Sequence, residues 1–331
     1  MIRLTSLKTA FRMNAFAPCD LAVFHPGSLV RYHGANILSL PPDSYGLYDR
    51  GENQLMSKIA VLGPKGTFSD SAYQAYCRKS SEALIPCYYS TIDETFHAVG
   101  KECAFGIVPV ENTLDGYVQR SLDLLLEMNL HILTELTVPV QFSLAANAAG
   151  LEDIKTLYVQ FKSSGQCRRA IDRLAGIRLV ITESNMESFY KLKEGKQGEA
   201  AIIPQHMFRR EEWEFGLENV TDSANNVTRF LVIQPGESQT AGAMEERIKV
   251  PLYVMPAFDE PGVLFQILKI FNDNRINLVS IMSRPTKKNM GTYNFYLELS
   301  GEKGQWEKIK EAVEQVQSRF PVKILGVYSV L

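Results

Sequence analysis

The segment Gly63-Pro-Lys-Gly-Thr-Phe-Ser69 has the composition of a ligand-binding loop. It follows an apolar run at residues 58–62 that predicts a strand, and it precedes a helical pattern at residues 69–78. Glycines let a backbone approach a ligand closely, and the first N–H groups of a helix attract anions. The loop has neither the Lys-Ser/Thr pair of a Walker motif nor the spacing of GxGxxG. It therefore predicts an anion site, with an ordinary turn as the alternative, at Gly66, Thr67, Phe68 and Ser69.

A carboxyl and a carboxamide stand together in the segment Pro109-Val-Glu-Asn-Thr-Leu-Asp-Gly116. Glu111 and Asn112 follow a strand predicted at residues 104–110, and groups that contact ligands are common at the C-terminal ends of strands in α/β sheets. Both side chains are therefore candidate catalytic groups. The alternative is that Asn112 or Thr113 only caps the next helix.

The segment Asn225-Asn-Val-Thr-Arg-Phe-Leu-Val232 supplies a third set of candidates. Thr228 offers a hydroxyl that can donate a hydrogen bond, and Arg229 offers a permanent cation suited to a carboxylate. The alternative is a plain strand with one outward-pointing arginine.

Strands and helices alternate from residue 58 onward, which predicts a mostly parallel α/β sheet. The segment Phe105-Gly-Ile-Val-Pro109 is echoed by Ala200-Ala-Ile-Ile-Pro204, each an apolar strand closed by proline. Further strands are predicted at residues 138–145 and 156–159, with a helix at 164–174. Two similar lobes with a ligand cleft between them, as in periplasmic binding proteins, are therefore predicted for residues 56–235, with the second lobe at about 138–220.

The C-terminal part has a different pattern. Residues 236–247 are polar with several small residues, which predicts a linker. Residues 248–331 then give the order strand, helix, strand, strand, helix, strand, with the two helices at residues 263–271 and 305–319. This is the ferredoxin-like βαββαβ order.

The composition excludes several classes of protein. A chain of 331 residues that is 45% hydrophobic suits two or three domains with proper cores. A formal net charge of −2 leaves no basic surplus for nucleic acid, and no apolar run approaches the ~20 residues of a membrane span. Five scattered cysteines without a CxxC pair fit reduced thiols in the cytoplasm.

Residues 1–55 have turn-forming pairs and no sustained hydrophobic period, so no domain is predicted there. Three explanations stay open: a targeting peptide, a disordered extension, or an upstream stretch joined by a wrongly chosen start. The third is favoured, because Met56-Ser57-Lys58 directly precedes the first strand. Removal of these residues is expected to leave activity and melting temperature nearly unchanged.

Taken in order, these segments and the βαββαβ pattern resemble the prephenate dehydratase family, from about residue 58 to residue 331. The last domain resembles an ACT domain, with Gly262-Val-Leu264 and Ser283-Arg-Pro285 close to the family's Gly-Ala-Leu and Glu-Ser-Arg-Pro. The resemblance implies conversion of prephenate to phenylpyruvate, carbon dioxide and water in phenylalanine biosynthesis, without a metal or organic cofactor. It also implies allosteric control by phenylalanine and a homodimer or homotetramer built through the ACT domain. Some relatives carry a preceding chorismate mutase, for which residues 1–55 are too few and too irregular.

Phenylalanine is the expected effector, with apolar contacts near Leu264 and Ile281. Residues 260–262 lead into a helix whose first N–H groups suit a carboxylate, and residues 277–283 form a neighbouring strand. The resemblance implies that these two elements meet at a subunit interface, if the domain pairs as its relatives do. The predicted effector contacts are Pro261, Gly262, Val263, Leu264, Asn277, Leu278, Ile281, Ser283, Arg284 and Pro285.

Three departures from the family pattern affect these expectations. The family's Ser-His-Pro-Gln is replaced by Val159-Gln-Phe-Lys162, although Gln166-Cys167 remain, which puts substrate identity in question. Met282 stands where the family has Glu, which predicts a weaker response to phenylalanine and a stronger one in Met282→Glu. Ser184-Asn-Met186 replaces a segment of small residues.

The predicted mechanism follows from prephenate being a dianion that becomes aromatic when its ring hydroxyl and ring carboxylate depart. Arg229 and the N–H groups of Gly66 and Thr67 are expected to hold carboxylates, while Thr228 hydrogen-bonds the leaving hydroxyl. Glu111, kept protonated by burial, is the predicted acid, and the alternative is an ionised Glu111 that positions Asn112. The remaining predicted substrate contacts are Phe68, Ser69, Phe230 and Gln166. Two rival functions stay open, an arogenate dehydratase and an amino-acid-binding regulator without turnover.

Overall fold

The computed structural model describes residues 56–237, 247–256 and 260–330. Residues 1–55 and most of the predicted linker lie outside these described residues. The chain forms two α/β lobes, each around its own sheet, and a C-terminal domain with a third sheet. The predicted fold class is therefore confirmed. No helix in the described ranges is long and apolar enough to cross a membrane.

The strands and helices alternate in part, and several strands follow one another without an α-helix between them. The strands are β1 (Ser57–Leu62), β2 (Leu84–Tyr89), β3 (Phe105–Asn112), β4 (Gly116–Tyr117), β5 (Leu130–Pro139), β6 (Phe142–Asn147), β7 (Thr156–Gln160), β8 (Arg178–Thr182), β9 (Glu199–Pro204), β10 (Phe215–Leu217), β11 (Val227–Pro235), β12 (Arg247–Val254), β13 (Asn277–Pro285), β14 (Tyr293–Glu302) and β15 (Val322–Ile324). The α-helices are α1 (Phe68–Ser80), α2 (Ile92–Ala98), α3 (Gln119–Glu127), α4 (Phe161–Gln166), α5 (Arg168–Ile171), α6 (Asn185–Lys193), α7 (Val263–Asp273) and α8 (Trp306–Gln317).

The sheet of the first lobe is mixed rather than mostly parallel. Its strand order is β2-β1-β3-β11-β5, with β4 paired to β3. Strand β1 is parallel to β2 and β3, whereas β11 returns from the far end of the lobes and is antiparallel to both β3 and β5. The prediction that β3 closes at Pro109 is wrong, because the strand continues to Asn112. Proline is tolerated within it because the pairing with β11 is irregular there, between Arg229 and Phe230.

The second lobe has the strand order β10-β6-β9-β7-β8. The single strand predicted at residues 138–145 is wrong, because β5 ends at Pro139 in one sheet and β6 begins at Phe142 in the other. The helix predicted at residues 164–174 is also interrupted, at Cys167. The Asp222 carboxylate accepts the N–H groups of Arg168 and Arg169 and so starts a new helix, α5.

The C-terminal domain has the predicted βαββαβ order and an antiparallel sheet with the strand order β13-β14-β12-β15. Helices α7 and α8 cover one face of this sheet. Ile267, Phe271 and Ile309 are completely buried in that core, as the helical period predicts.

Strand β11 contributes to two different cores because its side chains alternate between the faces of the sheet. Phe230 and Val232 pack on the face covered by α1. Leu231 and Ile233 pack on the opposite face, in a core that includes Tyr253, Tyr296 and Tyr328 of the C-terminal domain. The C-terminal domain therefore lies directly against the strand that carries Thr228.

Candidate active site

A network of side-chain amides joins β3, β11 and the second lobe. Asn112 Nδ2 donates to Thr228 Oγ1 at 2.9 Å and to Asn226 Oδ1 at 2.8 Å. Asn226 Nδ2 in turn donates to Gln166 Oε1 at 3.0 Å. The structure therefore brings together three predicted site residues from separate segments of the chain.

The orientation of Asn112 is fixed by its own turn. Its Oδ1 accepts the N–H groups of Leu114 and Asp115, each at 3.0 Å, so its Nδ2 must face β11. Because Asn112 donates to the Thr228 oxygen, the hydroxyl hydrogen of Thr228 is available for another acceptor. The alternative that Asn112 or Thr113 caps the next helix is wrong, because α3 begins at Gln119 with Val118 at its N-cap and no side-chain cap. Asn112 instead closes its own turn while it contacts Thr228.

Asn226 is the residue of this network that the sequence reasoning missed. It is completely buried, and it links Asn112 of the first lobe to Gln166 of the second. Because Asn226 precedes Thr228 by two residues, the sequence could have predicted that both side chains face the same side of the sheet.

Glu111 does not lie beside Thr228. In the ladder between β3 and β11, Asn112 pairs with Thr228 and Glu111 pairs with Arg229, so the carboxylate projects from the opposite face. There it accepts hydrogen bonds from the Nε and an Nη atom of Arg229 at 3.1 and 2.9 Å. The prediction that Glu111 is the catalytic acid in the cleft is therefore wrong on geometric grounds.

Arg229 is likewise turned away from the cleft. Its guanidinium is buried among the carboxylates of Glu111, Glu135 and Glu298, the last from the C-terminal domain. The prediction that it holds a substrate carboxylate is corrected by these contacts. Phe230 is also not at the cleft, since it is 1% exposed and packs in the core under α1.

The glycine loop has a structural role that the sequence did not suggest. The N–H of Gly66 donates to the buried carboxylate of Asp70 at 2.9 Å, so this amide is not available to an anion. Thr67 caps α1 by accepting the N–H of Asp70, and its own N–H is directed to the Pro64 carbonyl at 3.4 Å. The expected carboxylate site at these two amides is therefore wrong.

Gly66 instead lies at the contact between the two lobes. It has a positive φ of 91°, and a Cβ atom there would lie 2.8 Å from the methyl carbon of Met186 in the second lobe. His206, also in the second lobe, contacts the Gly66 carbonyl oxygen through Nε2 at 2.8 Å. Phe68 packs edge-on against His206, and Ser69 is buried at the start of α1.

A cavity of about 740 Å³ lies between the lobes. It reaches Val138, which pairs with Thr228 across β5 and β11. The cations on its lining are Lys65, Arg78 and Arg209, with Asp70 as the carboxylate. The cavity is therefore close to the amide network and favours anions.

A second bridge between the lobes lies beside Asn112. Lys162 Nζ on α4 is 3.2 Å from Asp115 Oδ2, and the N–H of Asp115 is bonded to Asn112. Lys162 belongs to the segment that departs from the family pattern, and it places a cation next to the Asn112 turn.

The C-terminal domain contains a small cavity of about 170 Å³. It is lined by Gly262, Val263 and Leu264 at the start of α7 and by Tyr293 and Phe295 of β14, and Pro261 is exposed beside it. The predicted effector contacts on β13 are not part of this lining.

The side chains of β13 alternate instead between two environments. Asn277, Ile281, Ser283 and Pro285 are exposed, whereas Leu278 packs in the core of the domain. Arg284 donates two hydrogen bonds to Asp123 of α3, at 2.8 and 3.0 Å, so its predicted role at the effector is corrected. Met282 packs against the core shared with the first lobe, on the opposite side from Ile281. The expectation that position 282 contacts the effector is therefore not supported by its orientation.

The comparisons with protein-family models and with known proteins agree on one family. A family model described as prephenate dehydratase matches residues 59–238, and one described as ACT domain matches residues 257–316. The chain is 31% identical over 278 residues to a prephenate dehydratase of Methanocaldococcus jannaschii, covering 83% of this chain and 99% of that protein. It is 31% identical over 279 residues to a bifunctional chorismate mutase/prephenate dehydratase of Aquifex aeolicus, covering 82% and 73%.

Two solved structures have similar folds. One is the prephenate dehydratase of Staphylococcus aureus, with 26% identity, a TM-score of 0.68 and coverage of 83% of this chain and 100% of that one. The other is the prephenate dehydratase of Arthrobacter aurescens in complex with L-Phe, with 28% identity, a TM-score of 0.69 and coverage of 82% and 90%.

Proposed function

The chain belongs to the prephenate dehydratase family, and we propose that it converts prephenate to phenylpyruvate, carbon dioxide and water in phenylalanine biosynthesis. The observation that carries this proposal is the hydrogen bond from Asn112 to Thr228, at the junction of the two lobes. These residues come from two of the segments on which the family resemblance depends, and they face the same side of the sheet.

The reaction breaks two bonds of the substrate ring. The electron pair of the bond to the carboxylate enters the ring as carbon dioxide leaves, and the hydroxyl departs with its own pair and takes up a proton to become water. Because aromatisation drives both steps, the enzyme needs mainly to orient a dianion and to stabilise the leaving hydroxyl.

Thr228 is the group we assign to the leaving hydroxyl. Its oxygen accepts a hydrogen bond from Asn112, which leaves its own hydrogen available to an oxygen of the substrate. A threonine hydroxyl is too weak an acid to protonate the leaving group alone, so it stabilises the departing hydroxyl by a hydrogen bond, and the net proton that turns this hydroxyl into water is taken up from bulk solvent. Glu111 has no part in this step, since it lies on the opposite face with Arg229.

Lys162 is the cation we assign to a substrate carboxylate. Its ammonium group pairs with Asp115, and both side chains are partly exposed. Because an exposed ion pair is weak, a substrate carboxylate can replace Asp115 at little cost. A carboxylate that takes the place of Asp115 would lie beside Asn112. Gln166 of the second lobe is joined to Asn112 through Asn226.

Incubation of the purified protein with prephenate, and separately with arogenate, tests this function. Phenylpyruvate is followed by its absorbance in alkali, and phenylalanine formed from arogenate is followed by chromatography. Turnover of prephenate is expected. Turnover of arogenate alone would make the protein an arogenate dehydratase, and binding without turnover of either would make it an amino-acid-binding regulator.

Phenylalanine is the effector that we propose for the ACT domain. The cavity beside Gly262 and Leu264 has an aromatic wall, Tyr293 and Phe295, and it opens at the first N–H groups of α7. A carboxylate suits those N–H groups and a benzyl side chain suits that wall. The relative from Arthrobacter aurescens that binds L-Phe has the same fold.

We also propose that the protein forms a homodimer or homotetramer through the ACT domain in the cytoplasm. Strand β13 is at the edge of its sheet, where Val279 and Ile281 are 48% and 46% exposed. An apolar edge strand favours pairing with a second copy. Free thiols at Cys77, Cys87, Cys103 and Cys167 suit a reducing compartment.

A further inference from the structure

Arg229 connects the strand of Thr228 to the C-terminal domain. It directly follows Thr228 on β11, and its guanidinium forms a two-pronged ion pair with Glu298 of β14. The same guanidinium donates to Glu135 of β5 at 2.8 Å and to Glu111 of β3 at 2.9 Å. One side chain therefore joins three strands of the first lobe to the C-terminal sheet.

Other groups of the C-terminal domain complete this cluster. Lys249 of β12 lies 2.5 Å from Glu135 and 3.5 Å from Glu298, and the Tyr328 hydroxyl donates to Glu135 at 3.0 Å. Arg229 also donates to the Tyr117 hydroxyl at 3.3 Å, and Tyr117 donates to Ser280 Oγ of β13 at 2.6 Å. Two cations thus meet three carboxylates, with a continuous path of hydrogen bonds to the strand that carries Ile281.

The opposite charges of this cluster stabilise one another in their ionised forms. Burial lowers the pKa of Arg229, but attraction to Glu298 and then to Glu135 outweighs burial and raises it, so the guanidinium stays charged. Glu298 and Glu135 are 1% and 3% exposed. A buried charge network contributes little net stability compared with apolar packing, and its geometry is strict.

The strand transmits that geometry to the cleft. Adjacent residues of a strand point to opposite faces, so a rotation that moves the Arg229 side chain also moves Thr228. The pairing of β11 with β3 is irregular between Arg229 and Phe230, and irregularities of this kind often re-aim a side chain next to an active site.

We propose that Arg229 is a positioning residue, held by Glu298, through which the C-terminal domain sets the orientation of Thr228 and hence the rate of the reaction. This inference rests on the proposed function and extends it to a specific contact between the effector domain and the catalytic strand. Phenylalanine bound beside α7 would act by shifting β13 and β14, and with them Glu298.

The test compares two variants of the full-length protein that each remove one carboxylate from a contact between the domains. Glu298→Gln removes the charge that holds Arg229. Asp123→Asn is the control, because Asp123 pairs with Arg284 across the same interface without touching β11. Melting temperature, kcat and KM for prephenate are measured for each, with and without phenylalanine, and phenylalanine binding is measured by calorimetry.

We expect Glu298→Gln to lower kcat at least tenfold with KM changed less than threefold, and to bind phenylalanine normally while its inhibition is largely lost. Asp123→Asn should have a lower melting temperature but keep kcat in the absence of phenylalanine, because Glu298 and Arg229 stay paired. A Glu298→Gln variant that only melts lower, with normal kcat and inhibition, would overturn the proposal.

A measurement on the wild type covers the case in which Glu298→Gln does not fold. Hydrogen exchange of the β11 amides, followed by mass spectrometry, should change when phenylalanine is added, and no change would overturn the proposal. If the wild type does not turn over prephenate, the proposed function fails, while the exchange experiment still decides whether β11 responds to the effector domain.

Discussion

Asn112 Nδ2 lies 2.9 Å from Thr228 Oγ1, across two paired strands that enter the first lobe from distant parts of the chain. The contact gives the threonine hydroxyl a donor on one side and leaves its hydrogen free on the other. Two residues that are 116 positions apart thus form one chemical unit.

Thr228→Ala should lower kcat by more than tenfold and change KM by less than threefold. The substitution removes the donor to the leaving hydroxyl, and tenfold corresponds to ~1.4 kcal/mol of transition-state stabilisation. Steady-state kinetics with prephenate measures both constants. Thr228→Ser keeps the hydroxyl and should retain most of the activity, and a kcat for Thr228→Ala within tenfold of wild type would rule out the assigned role.

Asn112→Asp should be more harmful than its small change in size suggests. It would direct a carboxylate oxygen at three acceptors, Asn226 Oδ1, the Val227 carbonyl and Thr228 Oγ1, where the wild type has an amide donor. We expect at least a tenfold loss of kcat together with a lower melting temperature.

The neighbouring residue provides a control for Asn112→Asp. Thr113 forms hydrogen bonds with the Asn225 carbonyl and the Val227 N–H, where β3 ends and β11 begins, and it has no hydrogen bond to Thr228. Thr113→Val should lower the melting temperature and leave kcat within threefold. If both variants lose kcat equally, the contact between Asn112 and Thr228 has no special part in catalysis.

Part of the network around Asn112 could be predicted from the sequence. Asn112, Gln166 and Thr228 belong to three motifs whose residue types and order along the chain resemble those of the family, and this resemblance predicts that they share one cleft. The faces of the strands were predicted wrongly. Thr228 and Arg229 are adjacent on a strand and must point to opposite sides, so they could not both contact a substrate in the same cleft. Which face of β11 borders the cleft depends on where the C-terminal domain packs. No sequence pattern near residues 228 and 229 indicates that contact.

The same reasoning applies to β13. Ile281 and Met282 alternate, so only one of them can face away from the first lobe. The start of α7 was predicted more accurately, because the positive φ of Gly262 and the helical period after it are local properties. The contact between Arg284 and Asp123 joins distant segments and could not be predicted from either one.

Lys162→Met should raise KM for prephenate at least fivefold with kcat changed less, if Lys162 holds a substrate carboxylate. Asp115→Asn should have the opposite effect and leave KM unchanged or lower, because Asp115 competes for the same ammonium group. Kinetics at low and moderate salt measures both. If both Lys162→Met and Asp115→Asn raise KM, the ion pair between Lys162 and Asp115 supports binding, rather than a Lys162 that is released from Asp115.

Glu135 gives a prediction about pH. Burial raises the pKa of its carboxyl, but attraction to Arg229 and contact with Lys249 outweigh burial and lower it. A carboxyl whose pKa is lower in the folded state stabilises the protein above its unfolded pKa, near 4.3 for Glu, and this contribution is lost as the pH falls through the folded value. Glu135→Gln should therefore unfold more easily than the wild type at pH 7.

The pH dependence of that difference is the sharper test. The free energies of unfolding of wild type and Glu135→Gln, measured by urea denaturation, should converge as the pH falls from the unfolded value near 4.3 through the lower pKa of the folded carboxyl, because the wild-type carboxyl then becomes neutral too. A difference that stays constant or grows on acidification would contradict the ion-paired state of Glu135.

Leu264→Ala should weaken phenylalanine binding, whereas Met282→Glu should not strengthen it. Leu264 lines the cavity at the start of α7, and each buried CH₂ group contributes about 0.8 kcal/mol, so removal of its outer carbons should lower the affinity at least fivefold. Met282 faces the core shared with the first lobe, where a carboxylate would be buried away from the cavity. Calorimetric titration of phenylalanine into wild type and both variants measures the affinities, and the melting temperature of Met282→Glu should fall because of the buried charge. Tighter binding by Met282→Glu would show that position 282 reaches the effector after all and would restore the expectation drawn from the family's glutamate.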